Sequence, residues 1–114
     1  MQGVSTVQPD DQLDLIFGAL ANRTRRAILA RLGSAPAKIT DLAGAFDMSF
    51  PAVSKHVRVL ERSGLVRRQV DGRVHRCSLE AEPLREAERW LTDRRAYWEQ
   101  TLAALAAHME REDR

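Results

Sequence analysis

The sequence contains a single cysteine, Cys77, and no run of apolar residues approaching the roughly 20 that a membrane-spanning helix requires. A lone cysteine excludes an internal disulfide and any metal site built from several thiolates. Residues 1–9 lack the basic and apolar segments that mark a protein for export. These absences predict a cytoplasmic protein with no membrane segment, no bound metal and no cofactor.

The length and composition predict one globular domain. A chain of 114 residues is too short for two ordinary domains, and 44% hydrophobic with 30% charged residues is typical of a folded protein. We expect a flexible N-terminal tail at residues 1–9, a folded domain over residues 10–109 and a C-terminal tail over residues 110–114.

Charge is unevenly distributed along the chain. The formal net charge is only +2, but residues 21–79 carry twelve Lys and Arg against four Asp and Glu. Residues 1–20 and residues 80–114 each carry a net charge of −3. A basic middle segment between acidic ends indicates a polyanionic partner for the middle, and a nucleic acid is the first candidate.

Apolar periodicity predicts three helices in the first part of the chain. Pro9 begins the first, Asn22 can cap the second, and Thr40 is a plausible N-cap for a short third helix. The apolar side of the first helix is formed by Leu13, Ile16, Phe17 and Leu20. The side chains expected to be buried are Ala27, Ile28 and Leu32 in the second helix, and Leu42, Ala43 and Phe46 in the third.

A fourth helix and a hairpin follow. Ser49 can cap the fourth helix, which is expected to cover residues 50–62. The dipeptide Asp71-Gly72 separates two strand-like segments and predicts a hairpin over residues 66–79, with positive φ at both of these turn positions.

A long last helix is predicted from Pro83 to about Met109. A short helix joined by a tight turn to a second helix and followed by a basic hairpin is typical of a winged helix-turn-helix. The predicted fold class is therefore mainly α with a small β-hairpin, a winged helix-turn-helix with a long C-terminal dimerisation helix.

The fourth helix has one apolar side and one cationic side. With about 100° of rotation per residue, Val53, Val57 and Leu60 share the side that faces the core. The opposite side is small and polar at its N-terminal end, which permits close approach to base edges, and its cations can neutralise phosphates. The expected DNA contacts of this helix and its cap are Ser49, Pro51, Ala52, Ser54, Lys55, His56 and Arg58.

The hairpin is the predicted wing. Its basic side chains can lie along phosphates with the tip near the minor groove, and the expected contacts are Arg68, Arg73 and His75, with Arg73 foremost. A solvated edge strand that carries charge against aggregation is the alternative.

Ser54 and His56 do not form a hydrolytic pair. They lie roughly 200° apart around the helix axis and cannot face each other, and no acidic side chain is placed to orient the histidine. Because no other cluster of acid, base and nucleophile is present, the chain is not predicted to be an enzyme. His56 is as well placed for packing against the preceding helix as for a DNA contact.

The last helix carries more apolar side chains than one core face requires. Leu84, Leu91, Trp98 and Leu105 recur at seven-residue spacing, which is typical of a helix packed along a partner helix, although a helix folded onto its own core is the alternative. Dimerisation about a two-fold axis would predict an inverted-repeat DNA site. The expected dimer contacts are Leu13, Ile16, Phe17, Leu91, Trp98, Leu102, Leu105 and Met109.

Three segments are specific in combination: ALANRTRRAILARL, ITDLAGAFDMSFPAVSKHVRVLERSGLVRR and DGRVHRCSL. With them the chain resembles the ArsR family of winged-helix repressors over about residues 11–109. The resemblance implies a homodimer that binds an operator, represses transcription and releases DNA when a signal arrives.

The sensing motifs of that family are missing. The segment before the predicted recognition helix has no cysteine pair, and Asp93 lacks the histidine two residues later that begins the family's zinc site. His108 with Glu110 or Glu112 is a weak zinc candidate, since zinc requires about four ligands. Cys77 is better explained as a buried filler. The inducer is therefore unknown.

The sequence predicts a sequence-specific transcriptional regulator, a homodimeric repressor that binds double-stranded operator DNA through helix 50–62 and wing 66–79. Two alternatives stay open. A winged helix used for protein–protein contact would bind no DNA with steep salt dependence, and a non-specific DNA-binding protein would not distinguish an operator from a random duplex.

Overall fold

The computed structural model describes residues 9–113 of the chain. Pro9, the last residue of the predicted tail, already belongs to the first helix, and residues 1–8 of that tail lie outside the described residues. The elements are α1 (Pro9–Leu20), α2 (Arg23–Ser34), β1 (Ala37–Lys38), α3 (Ile39–Ala45), α4 (Phe50–Arg62), β2 (Val66–Asp71), β3 (Val74–Leu79) and α5 (Glu82–Glu112).

The core lies where α1, α2, α3 and α4 meet the inner face of a small sheet. Most predicted core positions in α2, α3 and α4 are confirmed, but Leu29 was missed and Ala27, Ala43 and Phe46 are only half-buried. The buried apolar side chains are Ile16, Ala19, Ile28, Leu29, Leu32, Ala37, Ile39, Leu42, Val53, Val57, Leu60, Leu65, Val66, Cys77 and Ala87.

The helix caps agree with the sequence at two of three positions. The side chains of Asn22 and Ser49 each accept a hydrogen bond from a first-turn amide, as predicted. Thr40 is not an N-cap, since α3 begins at Ile39 and Lys38 occupies the cap position without a side-chain hydrogen bond. Starting the helix at Ile39 lets this residue, 1% exposed, join the core.

The break between α3 and α4 is tight, as expected. Asp47 has a φ of +50°, a left-handed conformation that Asp tolerates better than most residues. The Met48 amide donates to the Ala43 carbonyl at 3.0 Å, which closes the C-terminus of α3. The chain is thereby turned into α4 within a few residues.

The sheet has a third strand that the sequence did not predict. The strand order is β1-β3-β2, and β1 is antiparallel to β3 with Ala37 opposite Cys77 and Lys38 opposite Arg76. Two residues are too few to show the alternation from which a strand is predicted. This pairing brings Lys38 beside the wing.

The hairpin turn lies one residue later than predicted. Asp71 pairs with Val74, so the turn positions are Gly72 and Arg73. Gly72 has a φ of +63°, and Asp47 alone among the described non-glycine residues has a positive φ. The predicted positive φ at Asp71 is therefore wrong, because a turn with glycine first needs only one left-handed position.

Helix α5 is longer than predicted. It begins at Glu82, has Pro83 in its first turn and ends at Glu112, so residues 110–112 of the predicted C-terminal tail are helical. At about 1.5 Å per residue, its 31 residues span roughly 46 Å.

Most of α5 lies outside the core. Of the described α5 residues, Ala87 alone is buried. The Cα radius of gyration is 19.8 Å, where a compact chain of this length would have about 13 Å. No helix in the described part of the chain is long and apolar enough to cross a membrane.

Candidate nucleic-acid interface

Helix α4 is amphipathic in the way that its sequence predicts. Val53, Val57 and Leu60 are fully buried and fix the rotation of the helix about its axis. Lys55 and Arg58 therefore point away from the core and are exposed. Basic side chains on a rigidly seated helix are suited to a polyanionic surface.

The N-terminal end of α4 is open to solvent. Ser49 and Pro51 are exposed and Ala52 is half-buried. The Ser49 hydroxyl accepts a hydrogen bond from the Ala52 amide at 3.3 Å. Pro51 needs no donor because first-turn amides have no intrahelical partner. Small side chains here leave room for a groove edge to approach the backbone.

Ser54 is buried, contrary to the prediction that it faces DNA. Its exposure is 9%, beside the fully buried Val53. Ser54 lies about 100° from Val53 around the axis, at the edge of the apolar face. The buried face of α4 is therefore wider than the three apolar residues indicate.

His56 packs against α2 through an arginine. Arg25 Nη1 lies 3.4 Å from His56 Nδ1, while Arg25 Nε and Nη2 donate to the carbonyl oxygens of Ala19 at 2.8 Å and Gly18 at 3.0 Å. A guanidinium can only donate, so His56 Nδ1 accepts. The packing role predicted for His56 is present, although its partner is α2 rather than α3.

The surroundings of His56 favour its neutral form. Burial lowers the pKa of the imidazole below its ordinary value of 6.5, and the positive charges of Arg25 and Lys55 lower it further. A neutral His56 keeps the hydrogen bond from Arg25, which ties α4 to the α1–α2 turn.

Arg68 ties the wing to α4. Its Nη2 and Nε donate to Glu61 Oε1 at 2.7 Å and 3.1 Å, and Nη1 lies 3.1 Å from His75 Nδ1. The Arg68 side chain is only 17% exposed. Arg68 and His75, which the sequence predicts as DNA contacts, are thus both engaged within the protein in this structure.

Arg73 is exposed at the wing tip, as predicted, and it occupies the second turn position itself. Arg76 is also exposed, on the outer face of the sheet beside Lys38. Arg67 lies 3.9 Å from Glu80 in a largely solvated ion pair. The cations accessible on the wing are therefore at its tip and outer face.

Sequence reasoning missed three residues that hold or extend this interface: Arg25, Glu61 and Lys38. Glu61 is the one acidic residue in α4, which could have signalled an internal partner. Arg25 is one of three arginines close together in α2, with nothing in the sequence to single it out. Lys38 gains its position only from the strand pairing that was not predicted.

Most of the predicted dimer contacts are exposed. Leu91, Trp98, Leu102, Leu105 and Met109 of α5 are between 52% and 60% exposed. Together they form a long apolar stripe that the described residues leave uncovered.

The α1 part of that surface requires a correction. Ile16 is fully buried in the core and is not available to a partner. Leu13 and Phe17 are half-buried and line a groove of about 360 Å³ between α1 and α5, with Trp90, Leu91 and two aspartates. Phe17 meets Trp90 edge-on, with 5.8 Å between ring centroids.

Cys77 lies in the core, and His108 has a partner on its own helix. Cys77 is fully buried, as predicted, and burial raises the pKa of its thiol. His108 Nε2 lies 3.3 Å from Glu112 Oε1 on the same helix. Among the described residues no group of three or more His, Cys, Asp or Glu side chains could hold a metal ion.

Comparison with known proteins agrees with this architecture. A helix-turn-helix domain family matches residues 20–69. The HTH-type transcriptional regulator Rv2034 from Mycobacterium tuberculosis is 45% identical over 53 residues, 46% of this chain and 50% of that protein. The chain thus matches about half the length of this curated relative.

Solved structures match most of the chain. The crystal structure of the ArsR family transcriptional regulator RHA00566 is 45% identical with a TM-score of 0.76, covering 82% of this chain and 97% of that one. A homodimeric winged helix-turn-helix DNA-binding domain from Mycobacterium bovis, a possible ArsR-family regulator, is 25% identical with a TM-score of 0.62, covering 82% and 90%.

A winged helix-turn-helix with an exposed basic helix is typical of DNA-binding transcriptional regulators. This chain belongs to the ArsR family of transcriptional regulators, as the identity and coverage of the crystal-structure match show.

The Arg68–Glu61 pair is predicted to stabilise the wing. Glu61→Ala leaves the largely buried Arg68 guanidinium without its charged acceptor and should lower the free energy of unfolding by about 1–3 kcal/mol. Urea denaturation measures the change. Glu80→Ala removes the acid of a solvated pair and should cost less than about 0.5 kcal/mol. Equal effects of the two substitutions would contradict the structural role of Glu61.

The lowered pKa of His56 predicts a pH dependence of stability. Between the folded pKa and 6.5 the unfolded chain binds more protons at His56 than the folded one, so the contribution of His56 to stability rises with pH across that window and is constant above it. NMR titration should place the His56 midpoint below 6.5, and Arg25→Ala should raise it part of the way. A wild-type midpoint at or above 6.5 would refute the assignment.

Proposed function

We propose that the protein is a homodimeric repressor that binds an inverted-repeat operator through α4 and the wing. The observation that carries the proposal is α4 itself. Its apolar side is fully buried at Val53, Val57 and Leu60, while its opposite side presents Lys55 and Arg58 to solvent. Genomic DNA as the target is consistent with the cytoplasmic location expected from the sequence.

In this proposal α4 lies in the major groove. Pro51, Ala52 and Lys55 approach base edges from the N-terminal half, which carries no bulky side chain on its outer face after Phe50. Arg58 contacts phosphate beside the groove, and Ser49, the N-cap of α4, lies with Pro51 and Ala52 at the N-terminal end. Arg73 at the wing tip contacts the neighbouring backbone. Ser54, Arg68 and His75 act indirectly, by seating α4 and the wing.

His56 also acts through position rather than contact in this account. Its hydrogen bond with Arg25 links α4 to the carbonyl oxygens at the end of α1. A helix that reads bases must be held at a defined angle, because displacement of about 1 Å breaks a hydrogen bond to a base edge. His56 and Arg25 supply one such support, and Arg68 and Glu61 supply another.

Dimerisation is supported by the apolar stripe of α5. Leu91, Trp98, Leu102, Leu105 and Met109 are more than half exposed along a helix that extends well beyond the core. Exposed apolar patches of this kind mark association surfaces. The groove between α1 and α5 continues the stripe, so Leu13 and Phe17 would extend the same interface.

A symmetric dimer explains why an inverted repeat is expected. Two copies of α4 related by a two-fold axis can enter successive major grooves about 34 Å apart. The relative from Mycobacterium bovis is homodimeric, which supports the same assembly here. Occupation of such a site at a promoter would exclude the transcription machinery, and this is the basis for proposing repression.

Lys55 is predicted to contribute to both affinity and sequence preference. The first measurement is fluorescence anisotropy of the protein with its own upstream DNA and with a shuffled duplex of equal length, at two salt concentrations. Lys55→Ala should lower the native-to-shuffled affinity ratio by at least about fivefold, since a good base contact is worth about 1–3 kcal/mol. Its circular dichroism melting curve should match wild type because Lys55 is exposed.

Arg111→Ala is the charge-matched control for Lys55→Ala. Arg111 is exposed in the last turn of α5, and its removal should leave the affinity ratio unchanged. Equal loss with both variants would mean that only net charge matters, which favours non-specific binding. Absence of binding by wild type to either duplex would favour the protein–protein alternative.

Trp98 is predicted to be essential for the dimer. Trp98→Asp puts a carboxylate in the middle of the apolar stripe, twice in a symmetric interface, and should convert the dimer to a monomer in sedimentation velocity. Gln100→Asp, which introduces the same charge about 200° around the same helix, should remain dimeric. Identical sedimentation of wild type and Trp98→Asp would exclude this surface.

A further inference from the structure

A small basic pocket lies where the wing meets the starts of α3 and α4. Its volume is about 210 Å³. Its walls come from the end of β1, the first residues of α3, the first residue of α4 and the wing turn. The lining residues are Lys38, Ile39, Thr40, Phe50, Arg73, Val74 and His75.

The charged side chains that line the basic pocket are positive, which favours an anion. Lys38 and Arg73 bring positive charge from two sides, and no carboxylate is among the described residues that line it. The groove between α1 and α5 has the opposite character, with Asp10 and Asp14 and no basic residue in its described lining. The positive charge of the pocket is therefore local and not a general property of the surface.

Lys38 and Arg73 have no partner within the described part of the protein. Neither side chain takes part in a hydrogen bond or ion pair there, and both residues are exposed. Arg68, by contrast, is held by Glu61. An anion in the pocket would be attracted by both of these cations.

Two further side chains suit a nucleotide backbone. The Thr40 hydroxyl is not used to cap α3, whose cap position is taken by Lys38, so it can donate to an anionic oxygen. Phe50 is 48% exposed, so its ring is accessible beside the pocket. Its ring can pack on a deoxyribose next to the bound phosphate.

We propose that this pocket holds one backbone phosphate of the bound duplex, with Lys38 and Arg73 as its cationic contacts and Thr40 as a hydroxyl donor. The inference rests on the proposed DNA-binding function, because Phe50 joins the pocket directly to the N-terminus of α4. It adds β1 and the start of α3 to the interface. The contact reads no sequence and positions α4 along the groove.

The test is the salt dependence of duplex binding, measured by fluorescence anisotropy for wild type and Lys38→Ala on native and shuffled duplexes. Loss of one phosphate contact should lower the magnitude of the slope of log affinity against log salt by about 0.9 per protomer, on both duplexes alike. The native-to-shuffled affinity ratio should stay at its wild-type value. Lys38→Arg should restore the slope, and Arg111→Ala should leave it unchanged.

The other outcomes of this experiment overturn the phosphate site, operator recognition or both. A wild-type slope for Lys38→Ala, or a reduced affinity ratio at an unchanged slope, overturns the phosphate site. Equal wild-type affinity for both duplexes refutes operator recognition, while the slope change still decides the pocket. No binding to either duplex overturns both proposals.

A free-ion origin is tested separately. Replacing chloride with inorganic phosphate at equal ionic strength should weaken duplex binding by wild type more than by Lys38→Ala, because free phosphate competes with the duplex for the pocket. Selective weakening of wild type combined with a wild-type salt slope for Lys38→Ala would make the pocket a site for free phosphate and would overturn its assignment to DNA.

Discussion

Burial of one side of α4 is the constraint on which the rest of the site depends. With Val53, Val57 and Leu60 fully buried, the helix cannot rotate without exposing apolar surface, so the outward direction of Lys55 and Arg58 is fixed. Two polar contacts add to this packing: Arg25 of α2 hydrogen-bonds His56, and Arg68 of the wing pairs with Glu61. Apolar packing thus sets the rotation, and hydrogen bonds set the position of neighbouring elements.

The cations of the basic segment fall into two groups with different consequences. Arg25 and Arg68 donate hydrogen bonds to acceptors within the protein. Because both side chains are partly buried, these contacts are strong enough to fix the positions of the elements they join. The second group is exposed and forms no ion pair among the residues described, and it includes Lys38, Lys55, Arg58 and Arg73. Only the second group can exchange counterions for phosphates, so a count of basic residues in the sequence overstates the charge available for DNA.

Sequence reasoning succeeded where one local rule decides the outcome. The capping side chains of Asn22 and Ser49 and the apolar spacing of α4 each depend on neighbours within one or two turns. It failed where contacts distant in sequence decide. β1 exists because Ala37 and Lys38 pair with β3, and Ile16, which was expected at the dimer surface, is buried by the packing of α1 on neighbouring helices. Arg68 looked like a surface cation because Glu61, seven residues earlier, pairs with it only after β2 folds back beside α4.

Just past the C-terminus of α4, the chain contacts both α1 and α5, the helices that carry the proposed dimer surface. Gln12 of α1 donates from Nε2 to the Ser63 carbonyl at 2.9 Å, just past the end of α4. A Cβ added at Gly64, whose φ of +81° ends the helix, would lie 3.3 Å from Pro83 at the start of α5. α1, α4 and α5 therefore meet at one tightly packed point. Movement of α1 or α5 relative to the core would therefore disturb the contacts of Ser63 and Gly64 at the end of α4.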